Sequence, residues 1–122
     1  MKLSPYEKRV IIGLLRQLLD ARDGPKCLRC RSPDRQMSHI YPKGTYRRLE
    51  FDPDNLKWLC HDCHIGWWHQ NPTAAKQWLH TVVTKERIDR LKREANTSTP
   101  VGMNYAKHKT FLESELKKLI KK

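Results

Sequence analysis

The sequence has no hydrophobic run near the ~20 residues that a membrane-spanning helix needs, and no internal repeat. Its first residues lack the charged-then-apolar layout and the small-residue cleavage site of a secretory signal peptide. Its mean hydropathy is −0.82 and 31% of its residues are charged. We therefore expect a soluble, intracellular (cytoplasmic) protein with no membrane partner, and 122 residues suit one domain with a modest core.

Acidic residues are scarce in this chain. Only 13 Asp and Glu stand against 25 Lys and Arg, which gives a net charge of +12. The excess is largest in residues 72–122, where 12 basic residues face 5 acidic ones. A surplus of this size makes a polyanion the expected partner, and we take that partner to be nucleic acid. The alternative is that the basic residues only keep the protein in solution.

The sequence has no cysteine outside two Cys-x-x-Cys pairs, Cys27–Cys30 and Cys60–Cys63. In a reducing cytosol this pattern indicates a metal site, because disulfides do not persist there. Four thiolates complete the tetrahedral shell that a structural Zn²⁺ prefers. We therefore expect one structural zinc ion, with two disulfides or a redox site as the alternative.

The order of apolar and turn-forming residues predicts helices around a small hairpin. Ser4-Pro5-Tyr6-Glu7 has the form of a capping box, and Gly24-Pro25 ends the helix that follows. Residues 35–41 and 46–51 are predicted as the two strands of the hairpin. Residues 60–69 are predicted as a short helix, and further helices follow after residues 71, 84 and 104. We expect one α+β domain over residues 1–122: an N-terminal helix in 1–26, a zinc-stapled core in 27–71 and a basic helical extension in 72–122.

Three polar residues stand in a fixed order around the cysteine pairs. His39 is followed by Pro42 three residues later, Asn55 comes five residues before Cys60, and His64 directly follows Cys63. This pattern resembles the HNH motif of zinc-stapled ββα-metal endonucleases, over about residues 27–69.

More narrowly, residues 36–40 and 48–55 resemble the corresponding segments of the phage NinG/Rap recombination endonucleases. That resemblance implies a phage origin and branched recombination intermediates as substrates.

The HNH resemblance implies a small ββα-metal core, flanked by N- and C-terminal helices, that hydrolyses DNA phosphodiester bonds. His39 would be the general base, since a histidine titrates near neutrality and can take a proton from water. His64 would hold a catalytic Mg²⁺ or Mn²⁺, which neutralises charge on the leaving oxygen. Asn55 would tie down the loop or orient the His39 ring. The plain alternatives are that His39 is a satisfied structural histidine and Asn55 a turn residue.

Ser38 stands where many HNH enzymes carry an Asp or His as a second metal ligand. The residues that could substitute for it are Asp34, Glu50, Asp52, Asp54, His61 and His69. On a straight α-helix, His64 and His69 would lie about 140° apart, so they share an ion only if the helix ends or bends at Gly66. Ser38 also keeps open a second function, a zinc-stapled DNA-binding module without catalysis. A zinc-dependent protein-interaction domain is disfavoured by the net charge.

Four basic residues are expected to contact DNA phosphates: Arg47 and Arg48 in the hairpin, and Lys117 and Lys118 in the last helix. The alternative is that they belong to solvated surfaces. His61 and His80 are expected to be surface or packing residues. Trp67 and Trp68 are expected in the core, with stacking on DNA bases as the alternative. The sequence leaves the oligomeric state open, with a homodimer as one option.

Overall fold

The computed structural model describes residues 3–97 and 104–120, and it mixes helices with a small sheet. The elements in chain order are α1 (Pro5–Asp23), β1 (Gln36–His39), β2 (Leu56–Leu59), a π-helix (Asp62–Trp68), α2 (Pro72–Val82), α3 (Lys85–Ala95) and α4 (Tyr105–Ile120). The α+β class expected from the sequence is therefore confirmed. No helix within the described ranges is both long and apolar enough to span a membrane.

The first helix begins and ends at the residues that the sequence indicated. The Ser4 hydroxyl accepts the Glu7 N–H at 3.1 Å, and the Glu7 carboxylate accepts the Ser4 N–H at 3.0 Å. These two bonds satisfy backbone donors that a helix start leaves unpaired. At the other end Gly24 has a φ of 87°, a conformation that favours glycine. The buried stripe of α1 consists of Ile11, Leu15, Leu18 and Leu19.

The two-stranded sheet pairs different segments from those predicted. β1 runs antiparallel to β2, with Gln36 opposite Leu59 and His39 opposite Leu56. The predicted second strand, residues 46–51, is wrong: its backbone bonds within itself, and Arg47–Leu49 forms a 3₁₀ turn. All four residues of β2 are buried, so its sequence lacks the polar–apolar alternation on which a strand prediction depends.

β2 lies between two apolar clusters, since alternate side chains of a strand point to opposite faces. Leu56 and Trp58 pack with the stripe of α1 and with Leu112 of α4. Leu59 packs instead with three of the cysteines, beside the half-buried Trp68. α4 thus packs on α1, whereas α3 contacts the 3₁₀ turns that precede β2.

Two arginines fix the backbone that leads into β2. Arg22 of α1 donates from Nη1 to the Pro53 carbonyl and from Nη2 to the Leu56 carbonyl, both at 2.8 Å. Arg87 of α3 donates from Nε to the Asp54 carbonyl at 2.8 Å and from Nη2 to the Leu56 carbonyl at 3.0 Å. Burial lowers the pKa of Arg87 to about 10, so the guanidinium keeps its charge at neutral pH. These two side chains bridge α1 and α3 through the start of β2.

Candidate functional site

The four cysteine sulfurs converge on one point. Every pair of Sγ atoms among Cys27, Cys30, Cys60 and Cys63 lies within 4.8 Å. A tetrahedral Zn²⁺ with bonds of ~2.3 Å to sulfur needs sulfurs about 3.8 Å apart, so the cluster fits such an ion. All four are free thiols, and the Cys30 and Cys60 sulfurs are 3.5 Å apart, too far for a disulfide. The cluster can therefore hold a structural metal such as zinc.

The local backbone orients the sulfurs for a cation. The Cys30 N–H donates to the Cys27 sulfur and the Cys63 N–H donates to the Cys60 sulfur, each at 3.4 Å. Arg29 donates from Nη1 to the Cys63 sulfur at 3.4 Å, which partly balances the negative charge of thiolates. Burial raises the pKa of the Cys63 thiol to about 12. Metal binding would thus release the proton of this thiol.

The hydrogen bond of the His39 side chain selects one tautomer of its imidazole ring. Its Nε2 lies 3.0 Å from the Glu50 carbonyl oxygen. A carbonyl only accepts hydrogen bonds, so Nε2 carries the proton and Nδ1 keeps its lone pair. Burial lowers the pKa of His39 below its ordinary value, and the charges of Lys43 and Lys57 add to this effect. At neutral pH His39 is therefore a neutral imidazole with one nitrogen able to accept a proton.

Asn55 is fully buried and ties the loop that carries the His39 partner. Its Oδ1 accepts the Tyr41 N–H at 2.8 Å, and its Nδ2 donates to the carbonyls of Tyr41 and Leu49 at 3.0 and 3.1 Å. Leu49 is the neighbour of Glu50, whose carbonyl holds His39. Of the two roles expected for Asn55, these bonds match the fastening of the loop. They extend beyond what a simple turn residue would make.

His64 and His69 are brought together by a π-helix. The His69 N–H donates to the His64 carbonyl at 3.1 Å, five residues back. The wider turn brings residues i and i+5 near one face, and the two imidazole centroids lie 4.9 Å apart. The change of helix type, rather than a helix end at Gly66, thus brings the two rings together. π-turns of this kind are frequent at functional sites.

A hydrogen bond also selects one tautomer of the His64 ring. The Gln36 Oε1 lies 3.0 Å from Nδ1, and an amide oxygen accepts, so the His64 proton is on Nδ1 and Nε2 has a free lone pair. Burial, followed by the neighbouring His69, lowers the pKa of His64 to about 4. A neutral imidazole whose other nitrogen is bonded to an oxygen is the form that binds metals. Gln36 was part of the family resemblance, but its contact with His64 was not foreseen.

The other proposed substitutes for the Ser38 ligand position do not join the histidine pair. Asp52 and Asp54 both pair with Arg90, at 2.6 and 2.9 Å. Glu50 contributes its backbone carbonyl to His39. Within residues 3–97 and 104–120, only the four cysteines form a group of three or more potential metal ligands. Among the described residues, the histidine pair therefore has no third potential metal ligand beside it.

Lys57 is a buried lysine that no sequence motif singles out. Its side chain is fully buried, its Nζ donates to the Ser38 hydroxyl at 2.9 Å, and it lies 3.4 Å from the centroid of the Trp68 ring. Within the described part of the chain, no carboxylate pairs with it. Burial, with a contribution from Arg87, lowers the pKa of Lys57 well below its ordinary value. The sequence signal was one lysine inside the apolar run Leu56-Lys57-Trp58-Leu59.

One cavity of about 740 Å³ joins the three histidines. His39, His64 and His69 all line it, together with residues of the loop after β1, α2 and α3.

The four basic residues predicted to contact phosphates lie outside this cavity. Arg48 pairs with Glu94 at 3.1 Å and Lys118 lies 3.5 Å from Glu115, while Arg47 and Lys117 are exposed.

Compared with protein-family models, curated proteins and solved structures, the chain has no significant match in any of the three. The case for a function therefore rests on the arrangement of its own residues.

The cysteine cluster leads to a prediction about metal content. We expect purified protein to hold one zinc per chain, and Cys60→Ser to lose it and to loosen the segment between β2 and the π-helix, because each sulfur is a quarter of the shell. Elemental analysis gives the zinc content and amide hydrogen exchange gives the local order. Ser32→Ala in the turn after the first cysteine pair is the control and should keep its zinc. Protein without zinc and with paired cysteines would contradict the assignment.

Lys57 leads to a prediction about stability and pH. Its pKa is lower in the folded protein, so the unfolded chain binds more protons and the free energy of unfolding rises with pH up to the unfolded pKa. We expect Lys57→Met to remove part of this rise between pH 7 and 10, measured by urea unfolding. Comparing the two proteins removes the contribution of the cysteines that they share. Lys8→Met, at an exposed position of α1, should leave the slope unchanged. Equal slopes for wild type and Lys57→Met would show that burial does not lower the pKa of Lys57.

Proposed function

We propose that this chain is a metal-dependent DNA endonuclease of the HNH type, which hydrolyses phosphodiester bonds. The observation that carries the proposal is that His39, with a free Nδ1, and the His64–His69 pair line one cavity. The order of elements, strand, strand and then helix, is the order that the ββα-metal resemblance implies.

In the proposed reaction His39 acts as the general base. Its Nδ1 takes a proton from a water molecule while the water oxygen bonds to phosphorus and the bond from phosphorus to the 3′ oxygen breaks. The products are a 5′-phosphate and a 3′-hydroxyl, as the HNH resemblance implies. The Glu50 carbonyl, which accepts the Nε2–H, keeps the ring in place and favours the imidazolium that forms. Asn55 supports this step through the loop and does not touch the reacting atoms.

His64 and His69 would hold the divalent ion. When bound, it neutralises the charge that develops on the leaving oxygen. The Gln36 bond to Nδ1 leaves the His64 Nε2 for this contact, and waters and phosphate oxygens would complete the shell. Two imidazoles without a carboxylate favour Mn²⁺ or a later transition ion over Mg²⁺. The four thiolates would bind zinc for structure only.

Positive charge supports DNA as the substrate, but only part of it is available. Arg22, Arg87 and Arg90 bond to the backbone and to carboxylates around the start of β2. Arg47 and Lys117 are exposed and remain candidate phosphate contacts, together with Lys118. Arg48 is a weaker candidate because Glu94 already partners it.

One contact favours the second candidate function, a DNA-binding module without catalysis. Ser38 stands at the position of a second metal ligand in many HNH enzymes, and here its hydroxyl accepts a bond from the buried Lys57. The Lys57 amine occupies the Ser38 hydroxyl, and its protonated form would repel a metal ion at Ser38. Cleavage assays separate the two functions, since the module would bind DNA and never cut it.

The first catalytic prediction concerns the base. We expect His39→Ala to lower the rate of DNA cleavage about 10²–10⁴-fold, the usual effect of removing a general base, with zinc content and DNA binding retained. The rate is measured on labelled DNA with added Mn²⁺ or Mg²⁺ and with chelator.

His108→Gln on α4 changes a histidine outside the site and should cut at the wild-type rate. Because the pKa of His39 is lowered, the neutral base persists below pH 6.5, and the acid limb of the wild-type pH–rate profile should lie below that value. A His39→Ala protein that cuts at the wild-type rate would refute the mechanism.

The second catalytic prediction concerns the metal pair. We expect His64→Ala and His69→Ala each to weaken Mn²⁺ binding about 10-fold or more, since each removes a ligand, and high Mn²⁺ to restore part of the activity. Electron paramagnetic resonance of the zinc-loaded protein measures this binding. His108→Gln again serves as the control. If Mn²⁺ bound to both variants as tightly as to the wild-type protein, the histidine pair would not be the metal site.

A further inference from the structure

We propose that the cavity beside His39 binds one unpaired nucleobase of the substrate strand, so that the protein acts on DNA with an unpaired nucleotide next to the cut phosphate. This inference rests on the proposed function and names the substrate class for the same site.

The cavity walls suit the faces of an aromatic ring. They are apolar over a large part of their surface, through Met37 of β1, Trp68 of the π-helix, Ala75 and Leu79 of α2, and Ile88 and Leu91 of α3. Its volume of about 740 Å³ falls within the range of ~300–1,000 Å³ that is typical of sites for small organic ligands. An aromatic side chain among apolar ones is the platform on which single-stranded nucleic acids stack their bases. The walls therefore fit a flat heterocycle.

The charges around the cavity indicate an anionic ligand. Lys43 and Lys76 are exposed residues that line it, and His80 is a further exposed lining residue. Among the described residues no Asp or Glu lines it, although the chain holds 13 acidic residues. An apolar ligand without charge gives these lysines no partner. A base that carries a phosphate on its sugar satisfies both the apolar walls and the basic residues.

The position of His39 connects this ligand to the reaction. His39 lines the same cavity, so a base inside it places its own phosphodiester near the proposed general base. A base in an intact duplex is stacked and paired, and extruding it costs a few kcal/mol. A base at a gap, mismatch or branch point has lost part of that stabilisation already. The cavity therefore selects DNA in which a nucleotide is unpaired.

The experiment uses the zinc-loaded His39→Ala protein, which is expected to bind DNA and to cut it too slowly to affect the measurement. The fluorescent base 2-aminopurine is placed at successive positions of a gapped duplex and of the matched intact duplex. We expect a change in fluorescence at one unpaired position of the gapped DNA and none in the matched duplex. Adding Ile88→Glu puts a carboxylate on the cavity wall and should remove the signal and weaken gapped-DNA binding about tenfold or more, the size expected for losing one stacked base.

Matched variants show whether a lost signal results from misfolding. Ile88→Met keeps the wall apolar and should retain the signal, and zinc content and circular dichroism report whether Ile88→Glu is folded. If it is not, the Lys43→Ala/Lys76→Ala double variant, which changes exposed residues only, should weaken gapped-DNA binding more than duplex binding. The proposal is overturned if the signal is the same at every position, or if folded variants bind gapped DNA like the parent. It is also overturned if Ile88→Glu converts a dimer into monomers, because a second copy would then cover the cavity.

The cleavage arm separates this inference from the proposed function. Wild-type protein should cut a strand next to a mismatch at least about tenfold faster than the matched duplex. If it cuts the mismatched and the matched duplex at equal rates, the nuclease assignment is supported and the base pocket is refuted. If it cuts neither duplex, but the fluorescence signal appears and is lost in Ile88→Glu, the base pocket is supported and the nuclease assignment is refuted.

Discussion

The meeting of the four cysteine sulfurs is the constraint on which the site depends. A sheet of two four-residue strands is too small to be stable without support. The cysteines attach the turn before β1 to the start of the π-helix, while Arg22 and Arg87 hold the backbone that leads into β2. With both regions fixed, His39 and the histidine pair are carried on elements that cannot separate easily. A bound zinc would strengthen this link by adding its binding energy to the folding energy.

The parts of the structure that the sequence predicted depend on local chemistry. The capping box at Ser4 and the Cys-x-x-Cys spacing act over a few residues, so each has a recognisable pattern. The failures depend on contacts between distant segments. Residues 46–51 were predicted as a strand, but they form a 3₁₀ turn that contacts α3, where Arg48 pairs with Glu94, 46 residues further along the chain. The π-helix was not predicted either, because a residue pattern alone does not separate it from an α-helix, so the sequence could not show that the His69 ring lies beside that of His64.

The net charge overstates how many basic residues are available to contact DNA. Several of the 25 Lys and Arg residues serve the fold: Arg35 pairs with Asp20, and Arg90 with Asp52 and Asp54. The same ion pairs neutralise Asp52 and Asp54, which the sequence alone offers as possible metal ligands. In this protein the carboxylates around the start of β2 therefore anchor helices, and the ligands proposed for the catalytic ion are imidazoles. These roles depend on which segments contact one another in the fold, and composition does not reveal them.

Lys57 links the stability of the core to the chemistry proposed for the site. No carboxylate among the described residues pairs with this buried amine, so keeping it protonated costs free energy in proportion to its lost hydration, and a methionine would fill similar space without that penalty. Local choices that oppose stability are expected at functional sites. Here the Lys57 amine bridges Ser38 of β1 and Trp68 of the π-helix, and its protonated form acts on both His39 and His64. When Lys57 is protonated, its charge disfavours protonation of both imidazoles, which helps to keep the proposed base His39 and the proposed metal ligand His64 neutral.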